Sequence, residues 1–587
     1  MLSLAGALDR CGRLYGERPA IIERERIFSW TEHLDRVARA AGLLASLGVG
    51  CGERFGIVSR NTFRHCELLH AGYWSGRIPV PVNIRLAAAE ITQILLDAEV
   101  RALLVEPLFL PLLDHPDLAA LRLRCVVIDG PDGKVAAGQA ATGQTGTVPV
   151  ATGSADMQND AGSILRYEAL LAQSASLPLH ESAEDDDAIL LYTGGTTGRG
   201  KGVRLTHHNA IANGMQVGLA CGLREREVFL HVAPMFHSAD LLGTGVTLQG
   251  GAHAFLAQFS PDALLAALQD HGVSFTMLAP TMIILTLQSG DPSQYRLDAL
   301  RTLLYGSAPM APEWIRRTID AFPGTAVVQG YGLTETSPIL TVLGDGEHRE
   351  AMATGDVRLL RGAGRALVGI DLRIMDEADQ ELPAGEAGEV CVRGPNVTVG
   401  YLNQPEANAQ AFREGWFHTG DVGRLDASGY LFLLDRKKDM IITGGENVYS
   451  SEVEGALYQH PGVSECAVVG VPDPTYGEAL FAAIVPARGH TLNAEAMIEH
   501  CRGLIGGYKI PRRIAFLDQL PKSAMGKILK TELRRQFGAA GGGHAKGASG
   551  TAQSGDAVQP GGADDSGAAA AAAHPGVSPA ATQSGSQ

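Results

Sequence analysis

The chain has 587 residues, 45% hydrophobic, 19% charged and 6% aromatic, a balance that supports a folded protein of more than one domain and excludes one disordered throughout. Lysine and arginine number 48 against 64 aspartates and glutamates, and the formal net charge of −16 excludes nucleic-acid binding through a broad basic surface. Eight cysteines form no CxxC pair and no regular framework, so they read as buried or incidental thiols of a reducing, cytoplasmic compartment. Residues 1–8 are mildly apolar and run straight into Asp9-Arg10, so no secretory leader is expected. The most apolar stretch, residues 275–287, contains Pro280 and falls short of the ~20 residues of a membrane span, which leaves only shallow peripheral membrane contact open.

In chain order, residues 54–59 predict a strand, the segment around 71–74 a helix, 79–83 a strand, 87–98 a helix and 102–105 a strand. That rhythm of βαβ units implies parallel sheets covered by helices. From about 130 to 161 a low-complexity stretch reads as an inserted surface loop. The apolar rhythm returns at 274–278, 302–305 and 326–329. Between about 368 and 434 it changes to short alternating strands with Gly turns, such as 371–375 and 388–392, and predicts a small antiparallel β-unit. A second α+β pattern runs from Arg436 to about Phe537. Residues 538–587 are mostly Gly, Ala, Ser, Gln and Pro, too poor in apolar surface to offset ordering entropy, and read as a disordered tail. The expected fold class is α/β: a large N-terminal domain over 1–434, a small α+β C-terminal domain over 435–537, and the tail.

A buried strand at 189–192 opens into Thr193-Gly194-Gly195-Thr196-Thr197-Gly198-Arg199-Gly200-Lys201-Gly202. Amides freed by glycine, threonine hydroxyls and a lysine are what a polyphosphate cradle requires, although a hairpin tip uses the same residue types. Gly195 to Lys201 satisfies GxxxxGK, but Gly202 stands where a Walker A loop carries the Ser or Thr for magnesium, which argues against a Walker-type nucleotide kinase. Residues 203–206 read as another strand, with helix only after Asn209, so the loop joins two strands. His207 and His208 lack metal-ligand spacing with His231 or His237, and no zinc site is expected.

Four more segments follow: Gly330-Tyr331-Gly332-Leu333-Thr334-Glu335-Thr336, Trp416-Phe417-His418-Thr419-Gly420-Asp421, the run LDRKKDMIITGGENVY at 434–449, and Pro521-Lys522-Ser523-Ala524-Met525-Gly526-Lys527. With the glycine loop, this ordered set resembles the adenylate-forming (ANL) superfamily, in its acyl-CoA synthetase or fatty-acid–CoA ligase branch, over about residues 4–537. Gly194 and Gly200 replace a Ser and a Pro of the family loop and add backbone freedom. Ser450 stands where many relatives carry Pro, with no chemical consequence evident from the sequence.

The resemblance implies ATP-dependent activation of a carboxylic acid to acyl-AMP and pyrophosphate, then transfer to CoA, with ATP, Mg2+ and CoA as cofactors. Lys527 would bridge the carboxylate and the α-phosphate, a task of electrostatic stabilisation more than proton transfer. Thr193, Gly194, Gly195, Thr196, Thr197, Gly198 and Lys201 would cradle phosphates, Thr334 would contact a phosphate oxygen, and Glu335 would hold magnesium. Gly306-Ser307-Ala308-Pro309 and Gln329-Gly330-Tyr331-Gly332 would line the adenine pocket, with Tyr331 stacked on the purine. Asp421 would take the ribose hydroxyls, Arg436 the ribose or phosphates, and His237 would lie beside the acyl pocket. Lys438 matches the hinge about which a mobile C-terminal domain rotates between the two steps. Gly444-Gly445-Glu446 would then present a flat backbone edge to the pantetheine of CoA.

Segments 236–243, 276–283, 305–309 and 328–333, which line the acyl pocket in this family, contain no Arg or Lys, and Asp240 is their only charged residue. A dicarboxylate, whose distal charge needs pairing, is therefore disfavoured. A medium- or long-chain fatty acid comes first and an aryl acid second. The alternatives are loading of an acyl carrier protein and a catalytically silent interaction protein. The sequence gives no oligomeric state.

Overall fold

The computed structural model describes residues 2–120, 123–128, 165–193, 200–522 and 528–538; the expected insert at 130–161 and, beyond Gly538, the expected tail lie outside the described residues. Apolar runs of four to six residues become fully buried parallel strands. Arg54–Val58 lies between Ile78–Pro81 and Ala102–Val105, with Arg124–Val127 completing a four-stranded parallel sheet. The helix between the first two of these, Phe63–Ser75, starts at Thr62, whose hydroxyl accepts the His65 amide, and stops at Gly76 in the left-handed conformation. Only Trp74 in it is not buried, because it is packed on both faces.

A second sheet has nine strands. Its interior runs Ala326–Tyr331, Thr302–Gly306, Phe275–Leu278, Val228–His231, Ala252–Phe255 and Pro19–Glu23, all parallel, with antiparallel strands at both edges. The expected βαβ rhythm thus resolves into two parallel sheets. The apolar stretch at 275–287 is a strand followed by the helix Pro280–Ser289: Pro280 begins a helix at a position where its missing N–H costs nothing.

Strands Asp187–Thr193 and Lys201–Thr206 form the expected antiparallel pair around the glycine loop. One expectation needs correction. The following helix is His207–Ala220 and starts at His207, not after Asn209. The Thr206 hydroxyl accepts the Asn209 amide while the Asn209 side chain accepts the Thr206 amide, and this reciprocal cap draws both histidines into the first turn.

The β-unit at 368–434 is antiparallel, in the order Asp371–Met375, Gly388–Arg393, Trp416–Leu425, Phe412–Arg413, with Leu431–Arg436 also paired to Trp416–Leu425. Beyond it a smaller domain is built on the long hairpin Val463–Asp473 and Gly477–Pro486. Alternation along the hairpin divides two cores. Cys466, Val468 and Leu480 face Val453, Leu457, Met497 and Cys501 of the helices Ser450–Leu457 and Ala494–Arg502. Val469, Val471 and Phe481 face Leu533 and Phe537 of the helix Lys530–Gly538. Among the described residues no helix is long and apolar enough to cross a membrane.

Candidate active site

The site is assembled where strands end. Thr193 is the last residue of its strand and pairs with Lys201, so these two flank the glycine loop; Gly194, Gly195, Thr196, Thr197 and Gly198 lie outside the described residues. Gly202 lacks more than a magnesium-binding hydroxyl: a Cβ there would stand 3.0 Å from the Tyr192 ring, whose hydroxyl donates to Asp97 at 2.6 Å. Lys201 reaches across to Tyr401, its Nζ 4.5 Å from the ring centroid. Tyr401 belongs to a two-residue strand, Gly400–Tyr401, paired with Val203 and Arg204.

The Tyr401 hydroxyl donates to Glu335 Oε1 at 2.9 Å. Glu335 sits in the 3-10 turn Thr334–Thr336, 9% exposed, and its carbonyl accepts the Thr398 amide at 2.8 Å. Burial first, and then the Glu335 carboxylate, push the Tyr401 phenol up, so it stays a donor. The neighbouring Thr334 hydroxyl donates to Ser238 Oγ at 3.2 Å. Ser238 opens the 3-10 helix Ser238–Leu242, with half-buried His237 at its N-cap, and this bond brings His237 next to the Thr334–Glu335 turn.

Gly306 and Gly330 face each other on adjacent parallel strands, and a Cβ on Gly306 would lie 2.5 Å from the Gly330 carbonyl oxygen. Ser307, Ala308 and Pro309 follow directly, Ser307 in the left-handed region at φ 69. Gln329 and Tyr331 complete the neighbouring strand end; a Cβ on Gly332 would lie 2.0 Å from the Pro338 carbonyl oxygen, so the chain turns there only with glycine.

Asp421 and Arg436 are directly opposed on paired strands, with Arg436 Nε 2.6 Å from Asp421 Oδ1. The Tyr331 hydroxyl donates to Asp421 Oδ2 at 2.6 Å. Burial works against the Arg436 charge, but Asp421, with Tyr331 and Glu335 behind it, outweighs burial and holds its pKa above the usual value. Burial, Arg436 and Arg534 push the Lys438 ammonium down against the pull of Asp439 and Asp421. The structure therefore joins Lys201, Glu335, Tyr331, Asp421 and Arg436 into one neighbourhood, with Thr334 and His237 beside it.

Lys527 lies outside the described residues. Gly444 and Gly445, at φ 61 and 86, form the two-residue turn of a hairpin between Ile441–Thr443 and Glu446–Val448. The flat edge expected at Gly444-Gly445-Glu446 is thus a tight turn, because both glycines adopt the left-handed conformation that such a turn demands. Tyr401 and Ser238 were missed as candidates; a Gly-Tyr pair between loops carries no signal, and only tertiary pairing places it.

Glu335 is the buried carboxylate of the Thr334–Thr336 turn, and no group of three His, Cys, Asp or Glu suited to a metal occurs among the described residues. That donor set fits Mg2+, which takes one or two carboxylates and completes its shell with water and substrate phosphates.

The family model for AMP-binding enzymes matches residues 8–402, and that for the AMP-binding enzyme C-terminal domain matches 452–527. A feruloyl-CoA synthase from Amycolatopsis sp is 35% identical over 531 residues, 90% of this chain and 98% of the relative. The long-chain-fatty-acid–CoA ligase FadD13 from Mycobacterium tuberculosis is 33% identical over 504 residues, 85% of this chain and 91% of its own. The crystal structure of ATP-bound MatB from Rhodopseudomonas palustris superposes with a TM-score of 0.78 at 28% identity, covering 91% of this chain and 99% of MatB. With its motifs in order and relatives matched along nearly their whole length, the chain belongs to the AMP-binding enzymes of the adenylate-forming superfamily.

Proposed function

We propose that this protein is an acid–CoA ligase that joins a carboxylic acid to ATP as an acyl-adenylate, releasing pyrophosphate, and then passes the acyl group to CoA, releasing AMP. The observation that carries the reading is the convergence of residues from separate motifs, Lys201, Glu335, Asp421 and Arg436, through Tyr401 and Tyr331 into one set.

Attack of a carboxylate on an α-phosphate forces two anions together, so the site must supply fixed positive charge. Lys201 lies at the phosphate loop, held over Tyr401. Lys527 brings a second ammonium from the small domain to the bridging oxygens. Asp421 takes the ribose hydroxyls through lone pairs left over from Tyr331 and Arg436. Glu335 would hold magnesium together with the phosphates, and the ion would supply further charge neutralisation there. Departure of Lys527, by rotation about Lys438, then opens the adenylate to the thiol.

The acid is a monocarboxylate with an apolar body. No lysine or arginine occurs in the segments assigned to the acyl pocket, and their single charged residue, Asp240, is hydrogen-bonded to His231 Nδ1 at 2.5 Å. Similarity to feruloyl-CoA synthase favours an aryl acid, ahead of the fatty acid that composition alone puts first. Acid-dependent exchange of labelled pyrophosphate into ATP, across a panel of aryl and fatty acids, tests the reading. Exchange with aryl acids supports it, exchange with fatty acids alone reverses the order, and no exchange with any acid refutes the first step.

A further inference from the structure

The strand that leads into the hinge is tied to the small domain by a chain of hydrogen bonds with one consistent direction. The Lys530 ammonium donates to Ser450 Oγ, the Ser450 hydroxyl donates to Asp435 Oδ2 at 2.6 Å, and the Ser450 amide donates to the same oxygen at 2.5 Å. Lys530 also pairs with Glu454 at 2.8 Å, and the Ser451 hydroxyl donates to the Leu434 carbonyl. Ser450 is fully buried and is the first residue of the helix Ser450–Leu457. Tyr449, at the cap position, gives that helix no side-chain cap; Asp435 caps it from the other side of the hinge, where a carboxylate also meets the positive end of the helix. Burial works against the Lys530 charge, but Glu454 and Asp435 hold its pKa above the usual value, so the chain begins on a cation and ends on an anion.

Asp435 precedes Lys438, whereas Ser450 and Lys530 follow it, so rotation about Lys438 must break the chain. A proline at 450 would have neither the amide hydrogen nor the hydroxyl, and would leave Lys530 without its bridge to Asp435. The departure from proline therefore has a structural consequence that the sequence does not reveal.

We infer that Asp435, Ser450 and Lys530 form a latch across the hinge, with Ser450 as the positioning residue that sets the balance between the small-domain orientation described here and the other orientation the reaction needs. This rests on the two-step reading proposed above, with Lys438 as pivot. Ser450→Ala removes the hydroxyl alone. Ser450→Pro removes all three hydrogen bonds at Ser450, and it suits the fold, because the first helical position tolerates proline and Tyr449 is already extended at φ −82, ψ 122.

The full-length chain and both variants are assayed for acid-dependent pyrophosphate exchange and, separately, for CoA-dependent consumption of a synthetic acyl-adenylate. The latch predicts that the ratio of the two rates moves in one direction, by about threefold or more in Ser450→Ala and further in Ser450→Pro, as loss of two and then all three hydrogen bonds at Ser450 requires. An unchanged ratio, or both rates falling by one common factor, overturns it. Should the wild-type chain catalyse neither step, the two-step reading fails by itself, and trypsin decides the latch. Faster cleavage after Arg436, Lys437 or Lys438 in Ser450→Pro, with other sites unaffected, supports the latch; equal cleavage overturns it.

Discussion

Arg436 and Asp421 stand directly opposite each other on paired strands, the guanidinium Nε 2.6 Å from one carboxylate oxygen while Tyr331 donates to the other. The pair fixes the carboxylate before any nucleotide arrives, and preorganised groups give more binding energy than groups ordered on binding. Asp421→Asn exchanges a charged acceptor for a neutral one and leaves Arg436 without its counter-charge. Hydrogen bonds to charged groups are worth about 1.5–3 kcal/mol, so ATP and AMP affinity should fall about 10- to 100-fold by calorimetry. Unchanged affinity would remove Asp421 from the nucleotide site.

Tyr401 serves Glu335 through its hydroxyl and Lys201 through its ring, and two substitutions separate these contributions. Tyr401→Phe keeps the ring and should lower kcat/KM about 3- to 10-fold while raising the magnesium concentration needed for half-maximal rate. Tyr401→Ala also releases Lys201 and should cost more than about 10-fold. Equal rates for Tyr401→Phe and wild type across a magnesium titration would contradict the link.

Division of labour between the steps predicts opposite defects in two variants. Lys527→Ala should slow pyrophosphate exchange by about 100-fold or more and leave thiolysis of a supplied acyl-adenylate within a few-fold of normal. Lys438→Pro, which stiffens the pivot, should impair thioester formation more than adenylation. Equal losses in both half-reactions would argue against a moving domain.

Buried neutral histidines set an acid limit on stability. Burial pushes the pKa of His70 and of His207 down to about 4, and burial also lowers His33 and His253. In the unfolded chain these groups titrate near 6.5, so below that pH the unfolded state binds more protons. Stability is therefore fully present above about pH 6.5 and is lost as pH falls towards 4, at about 1 kcal/mol each for His70 and His207 by pH 5.5. His207 Nδ1 accepts the Leu4 amide at 3.2 Å, a bond that protonation of that nitrogen removes. Urea midpoints should fall between pH 7.5 and 5.5; a constant midpoint would contradict neutral burial.

The strands at 54–58 and 302–306 were readable because short continuous apolar runs between breakers have few alternatives to a buried parallel strand. The glycine loop was readable as a link between strands, since 203–206 keeps strand character and the helix waits for the Thr206 cap. Tyr401 was not, because its role depends on a short strand meeting Val203 and Arg204 far earlier in the chain. Nor was Ser450, whose partner Asp435 becomes visible only when the two sides of the hinge meet. The hydrogen bond between Asp240 and His231 was hidden for the same reason: a carboxylate in the sequence carries no sign of which partner tertiary structure gives it.

The central claim, one site activating an acid with ATP and handing it to CoA, is tested most directly by AMP release from ATP and magnesium with aryl and fatty acids, each with and without CoA. The account predicts AMP formation that requires both an apolar-bodied acid and CoA. Absence of AMP with every acid, under conditions where a known ligase turns over, or turnover that is indifferent to CoA, would contradict it.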